Sequence, residues 1–324
     1  VAIWKDTVVT MTDYPSSGDK YVYPVVFKIV NDKLVNPTNL DEYYFRKNQQ
    51  APQENTINIA IFNNYIVVGE YTSRIHLYVY ADNQWTHSKC VDLSTTNYLY
   101  GSVAISDKYI AVGQGFLYYQ HDSNNTNTKY VKVFNISDII AASSSPEQAN
   151  IGTIDIHVWP NDSGLTPVYQ VDSTNIGFGV GVAISDNIFV YSDVGENSTI
   201  YVYNLTTGGQ PTTFSIGDSD GSYLGISLAM SNNYVVAGKS HGVCILNIDD
   251  VNGNPKYIDQ PPYGTSTEQG RFGRAVAIFD NNIIIGDNNF EISSEPGYAN
   301  KGAIYCYIGT LTYTSNNSNY KLTV

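Results

Sequence analysis

One hairpin recurs six times along this chain. It is a short apolar strand written around Val-Ala-Ile, a tight polar turn, and a second apolar strand that often ends in Gly. One copy reads Val103-Ala104-Ile105-Ser106-Asp107-Lys108-Tyr109-Ile110-Ala111-Val112-Gly113, and another Val276-Ala277-Ile278-Phe279-Asp280-Asn281-Asn282-Ile283-Ile284-Ile285-Gly286. A unit of this size cannot cover its own apolar faces, so it must stack on its neighbours in a solenoid, an array or a closed ring. The marker alanines stand at Ala2, Ala60, Ala104, Ala183, Ala229 and Ala277, spaced by 58, 44, 79, 46 and 48 residues. A basic period of about 46 residues suits a four-stranded sheet with short links, and the 3.6-residue periodicity of a helical repeat is missing.

Each unit has its own internal order. The first strand is small and apolar, as in Phe178-Gly179-Val180-Gly181-Val182-Ala183-Ile184, which suits close packing near a crowded axis. Turns such as Ser185-Asp186-Asn187 and Ser231-Asn232-Asn233 carry the residues that tolerate positive φ. The third strand alternates aliphatic with aromatic residues, as in Ile75-His76-Leu77-Tyr78-Val79-Tyr80 and Ile200-Tyr201-Val202-Tyr203. Fourth-strand candidates are 88–93, 167–171, 211–216 and 256–259. The expected fold is therefore an all-β propeller of four-stranded blades, one domain over residues 1–324. Six hairpins point to six blades. The 79-residue spacing leaves an excess near residues 138–165, which reads as an insertion in blade three or a decayed seventh blade; it contains no Val-Ala-Ile hairpin, which favours six. Residues 320–324 read as a further strand able to close the ring.

Composition narrows the function. A formal net charge of −13 with no Lys/Arg cluster repels a phosphate backbone and an anionic membrane surface, so neither nucleic acid nor membrane insertion is expected. No apolar run approaches the length of a membrane span. The chain begins inside a repeat, so a secreted form would be the processed one. Asn-x-Ser/Thr sequons at Asn124, Asn135, Asn161, Asn197, Asn204 and Asn316 stand in loops or at strand ends and suggest an extracellular or cell-surface, secreted glycoprotein. Cys90, Cys244 and Cys306 are too few for a disulfide framework and read as buried free thiols, with a Cys244–Cys306 bridge as the alternative.

Phe178-Gly179 and Phe272-Gly273, with the relaxed Leu224-Gly225 and Tyr100-Gly101, resemble the Phe-Gly element of FG-GAP repeats, the unit of the integrin alpha-subunit propeller. Glycines ending the second strand match the first residue of Gly-Ala-Pro, although Gly69-Glu70-Tyr71, Gly113-Gln114-Gly115, Gly238-Lys239-Ser240 and Gly286-Asp287-Asn288 replace the rest, and repeat four has Ser192-Asp193. The resemblance covers essentially the whole chain and implies a propeller of extracellular type. The family's calcium loop lies between strands one and two. Here that link is a tight turn, too short to converge the roughly six to eight oxygens calcium takes. The calcium sites are therefore not carried over.

Candidate chemistry is sparse. Asp218-Ser219-Asp220-Gly221 is the stretch nearest a calcium loop, but Asp218 and Asp220 precede Leu224-Gly225 where a link between blades is expected. Gly238-Lys239-Ser240 lacks the upstream Gly and the helix of a phosphate loop. His76, His87, His121, His157 and His241 show no metal-ligand spacing. No cofactor and no catalytic residue is assigned, and an enzyme is not expected. Tyr43, Tyr44, Trp85, Tyr118, Tyr119 and Tyr263 read as loop aromatics able to stack on sugars or anchor a protein. The expectation is a non-enzymatic extracellular propeller serving adhesion or forming a structural subunit of an extracellular assembly. Its partners would be a protein or glycan, or further copies in an oligomer or filament. A carbohydrate-binding lectin is the first alternative and a secreted carbohydrate-active enzyme the second.

Overall fold

The computed structural model describes residues 2–13, 21–31, 33–40, 45–46, 58–70, 74–93, 102–115, 128–141, 147–151, 154–158, 165–175, 177–195, 198–215, 223–239, 242–250, 255–259, 272–280, 282–287 and 303–308. They form an all-β propeller of six antiparallel blades with one short helix. Two compact units divide the chain, Val1–Asn175 and Ile176–Val324.

The first unit holds three blades. Blade one is β1 (Ala2–Trp4), β2 (Thr7–Asp13), β3 (Tyr21–Val30) and β4 (Lys33–Asn39), with the short β5 (Phe45–Arg46) also paired to β3. Blade two is β6 (Asn58–Phe62), β7 (Tyr65–Glu70), β8 (Arg74–Ala81) and β9 (Gln84–Asp92). Blade three begins with β10 (Val103–Ile105), β11 (Tyr109–Gly113) and β12 (Lys129–Asn135). After these come the helix α1 (Ile136–Ala141) and a hairpin of β13 (Glu147–Ile151) and β14 (Ile154–Val158), before β15 (Tyr169–Ser173) pairs back onto β12. The long third spacing is thus an insertion within blade three, and β13 and β14 form a separate two-stranded sheet.

The second unit holds the other three blades. Blade four is β16 (Phe178–Ser185), β17 (Ile188–Asp193), β18 (Thr199–Asn204) and β19 (Thr212–Ser215). Blade five is β20 (Leu228–Ser231), β21 (Tyr234–Lys239), β22 (Gly242–Asn247) and β23 (Lys256–Asp259). Blade six shows β24 (Phe272–Phe279), β25 (Asn282–Asp287) and β26 (Ala303–Ile308). Two fourth-strand readings shift: β9 starts at Gln84 rather than at residue 88, and β4 supplies a strand the sequence had left unassigned. Residues 320–324 lie outside the described residues.

Strand alternation sends successive residues to opposite faces, and each face packs on the next blade. In β7, Ile66 and Val68 pack with Val9, Val26 and Leu40 of blade one, while Val67 packs with Val103, Ile110 and Phe134 of blade three. In the second unit, Val190 and Ile200 meet Val235, Ala237 and Cys244; on the far face of blade five, Val236 and Val243 meet Phe272, Ile283 and Ile285. Cys244 therefore faces blade four and not the blade that carries Cys306, which excludes the Cys244–Cys306 bridge. All three thiols are free, and Cys306 is exposed rather than buried.

The turns behave as their residues dictate. Asn63, Asp186, Asn232 and Asp280 take positive φ (51°, 48°, 50° and 51°) between the first and second strands of their blades. Blade one places Lys5 there at 52°. In five blades a residue at the end of the third strand or just past it donates its N–H to a carbonyl of this turn: Ile29 to Asp6, Tyr80 to Asn64, Ile136 to Lys108, Leu205 to Asn187 and Ile248 to Asn233.

The Phe-Gly element has a structural reason. Gly179 and Gly273 sit at φ 77° and 95°, and at each the pairing of the first strand with the second shifts register. The preceding Phe178 and Phe272 are buried and lie edge-on to Tyr201 and Tyr305 at equivalent positions of blades four and six. Ser192, which replaces the expected Gly, is fully buried, and its Oγ accepts the Gly181 N–H at 2.9 Å and donates to the Gly225 carbonyl of the next blade at 2.8 Å. Ser227 makes the corresponding tie from blade five, donating to the Gly273 carbonyl at 2.8 Å.

Candidate functional site

The β8–β9 hairpin brings two histidines, a tyrosine and a cysteine side by side. Asp82 and Asn83 both take positive φ, 52° and 63°, and close a two-residue turn that sets Tyr80 opposite Trp85 and Tyr78 opposite His87. Beyond Tyr78 the register shifts at Ser88, so Leu77 faces Lys89 and His76 faces Cys90. One extra residue in one strand reverses which face the following side chains occupy. Without it, Cys90 would fall on the opposite face from His76. The bulge brings His76, Tyr78, His87 and Cys90 together on the face toward blade one.

The geometry is a chain rather than a cage. His76 Nδ1 lies 3.1 Å from His87 Nε2, and His76 Nε2 lies 3.7 Å from Cys90 Sγ. The His87 ring stands edge-on to Tyr78 with centroids 4.9 Å apart. Cys90 is 1% exposed and His76 6%. The two nitrogens of the His76 ring face different partners, so one metal ion cannot use both. Among the described residues no group of three or more His, Cys, Asp or Glu is placed to hold a metal ion. A thiol against an imidazole is the raw material of a nucleophile. Here the sulfur is sealed in the sheet, and the arrangement is suited to passing or sharing a proton along buried hydrogen bonds. The sequence concealed this cluster because the Asp82-Asn83 turn alone gives the unshifted register, and nothing in the residue types at 87–90 announces a bulge.

The binding residues read from sequence fare unequally. Trp85 lies in β9 rather than in a loop, half-buried beside the core of blades one and two, with its ring 5.1 Å from that of Tyr80. Tyr43, Tyr44, Tyr118, Tyr119 and Tyr263 lie outside the described residues, as do Asp218 and Asp220 and the sequons at Asn124, Asn161, Asn197 and Asn316. Asn135 and Asn204 are described, and they occupy equivalent positions: each ends the third strand of its blade, opposite the first residue of the second strand, Tyr109 and Ile188. Asn204 Oδ1 accepts the N–H groups of Thr206 and Thr207 at 2.9 and 3.0 Å, and Asn135 Nδ2 donates to Asp138 at 2.8 Å.

In blades three and six the links at the two ends of the second strand differ in length. Links between first and second strands are two or three residues long, as at Lys5–Asp6 and Ser106–Lys108. At the opposite end, 15 residues join β11 to β12 and 15 join β25 to β26. Variable length at one end of a fixed scaffold is where recognition residues are commonly carried.

No protein-family model matches the chain, and neither does any curated protein. Solved structures similar to it include the WD40 repeats of RRP9, at 10% identity and a TM-score of 0.48 over 91% of this chain and 78% of that one. The computationally designed Ika8 protein is similar at 14% identity and a TM-score of 0.41 over 94% of both chains. A chain from a structure of the mitotic checkpoint complex is similar at 12% identity and a TM-score of 0.44 over 87% of this chain and 72% of that one.

Proposed function

We propose that this chain is an extracellular, N-glycosylated, non-enzymatic propeller of FG-GAP-like build that works in adhesion or as a subunit of an extracellular assembly, with a protein, a glycan or further copies as its partner. The observation that carries this reading is the placement of Asn135 and Asn204 at the same register position of two blades, each at a strand end with the hydroxyl residue of its sequon, Ser137 or Thr206, exposed. A glycan there would extend from the blade without entering a core. The non-enzymatic part is supported by the burial of the Cys90–His76 contact, which keeps substrate from the sulfur. The Phe-Gly bulges at Gly179 and Gly273 support the FG-GAP-like build.

Expression through a secretory pathway, followed by intact mass before and after peptide-N-glycosidase, tests it. Glycan mass at the tryptic peptides containing Asn135 and Asn204 is the expected result. An unmodified chain from that pathway overturns the glycoprotein reading, and saturable binding of one sugar by the monomer on a glycan array replaces adhesion with a lectin.

A further inference from the structure

The His76–His87 contact limits how many protons the two rings hold together. The 3.1 Å between His76 Nδ1 and His87 Nε2 takes one hydrogen. Two neutral rings satisfy it, one donating and the other accepting. A first added proton is also accommodated, because an imidazolium on either ring still faces a neutral ring. A second puts hydrogens on both facing nitrogens, and the contact parts. In the unfolded chain both rings charge near the ordinary histidine pKa of about 6.5. Below that pH the closed contact therefore binds one proton fewer than an open form.

The pair is also tied to the packing of two blades. The Tyr78 ring lies edge-on to His87, is fully buried, and packs with Val9, Val26 and Leu40 of blade one. His76 Nε2 meets Cys90 Sγ on the same face. His87 is half-buried on the outer strand, within reach of solvent protons. The charged groups of the surrounding elements stand away from the pair. Arg74 is two residues along β8 from His76, with Glu70 of β7 and Asp92 of β9 as its register partners, and Tyr80 faces Trp85. In blade one Lys28 is paired with Asp6, Asp13 stands opposite Val22 and Lys33 opposite Val30. A charge two strand positions away, roughly 7 Å, changes how readily a ring charges but not the single hydrogen that fits between the facing nitrogens.

We propose that His76 and His87 are an acid-operated latch on the contact between blades one and two: the shared hydrogen holds it closed, and the second proton parts the rings, withdraws the support of Tyr78 and loosens the β8–β9 hairpin from blade one. The open form binds one more proton, so its share rises about tenfold for each pH unit below the ordinary histidine range. Cys90, sealed while the latch is closed, becomes reachable when it opens. This inference does not rest on the function proposed above.

The test follows the labelling of Cys90 in the full chain by dithiodipyridine, a disulfide that stays reactive toward thiols in acid, from about pH 7.5 to about pH 5. The exposed Cys306 calibrates the reagent at each pH, and Cys244, buried between blades four and five, reports general unfolding. The rate at Cys90 divided by that at Cys306 is expected to rise by about tenfold for each pH unit below about 6.5, while the same ratio for Cys244 stays level. His87→Gln keeps a polar partner for His76 and leaves one ring to charge, so the Cys90 ratio of that variant should stay level too. A Cys90 ratio that does not move with pH in the parent chain, that rises in His87→Gln as it does in the parent, or that rises only in step with Cys244 overturns the latch. The parent chain's own profile decides the matter even where the variant does not fold.

Discussion

Among single residues, the cysteines separate most sharply by environment. Burial pushes the Cys244 thiol up to about 12, so at pH 8 it carries almost no thiolate, the form that attacks a labelling reagent. Cys90 is as deeply buried, while Cys306 is exposed on β26. A maleimide titration of the folded protein at pH 8 should therefore modify one thiol per chain quickly, mapping to Cys306, and all three after denaturation. Fast modification of Cys244 in the folded state would mean that the face between blades four and five is open. The shift has a sign for stability as well. The folded chain holds the Cys244 proton more tightly than the unfolded chain, so above the ordinary thiol pKa the unfolded form has fewer protons bound and stability falls as pH rises. Reading the three cysteines as buried free thiols was right for two, and Cys306 escaped it because residue type reports average burial and not which face of an outer blade strand meets a neighbour.

At the scale of the element, the hairpin turns were legible because their chemistry is local. Asn and Asp at 63, 186, 232 and 280 advertise positive φ, and the turns take it. Lys5 breaks that rule in blade one: its φ is 52°, a conformation that favours Gly, Asn or Asp over a residue with a long side chain. Its neighbours offset part of the cost, since the Asp6 carboxylate receives Lys28 at 3.1 Å, which holds that carboxyl below its usual range, and the Lys5 amine lies 5.8 Å from the Trp4 ring. Replacing Lys5 with Asn keeps Asp6 and Lys28 and should raise stability by about 0.5–1 kcal/mol, read as a higher denaturant midpoint with an unchanged slope. A lower midpoint would show that the contact with Trp4 outweighs the backbone cost. The β9 bulge was illegible for the opposite reason. Whether Ser88 is skipped depends on what His76, Tyr78 and Cys90 meet across the blade, and that information lies in blade one rather than in the hairpin's own residues. The insertion after Asn135 stood between these cases: the excess length was visible in the spacing, and its place between β12 and β15 required the pairing itself.

For the molecule as a whole, one repeated motif performs different work in different blades, and sequence similarity between repeats hides this. Gly238 and Gly286 both end the second strand of their blades and look interchangeable in the chain. A Cβ added at Gly238 would fall 1.9 Å from the Gly273 carbonyl oxygen and 2.3 Å from Ser227 Oγ, atoms of the tie that joins blade five to blade six. At Gly286 the nearest atom to such a Cβ is the Ala275 side chain at 3.3 Å, a contact that a slight shift relieves. Gly238 is thus fixed by the approach of two backbones, and neither strand can yield without separating the blades. Gly238→Ala should cost several kcal/mol, at or above the roughly 1–3 kcal/mol typical of overpacking a core, and Gly286→Ala less than about 1 kcal/mol. Equilibrium urea unfolding of the two variants beside the parent chain measures the difference directly. Equal costs would mean that blades five and six are held by their apolar faces, through Val236, Val243, Phe272 and Ile285, and that the backbone contact is incidental.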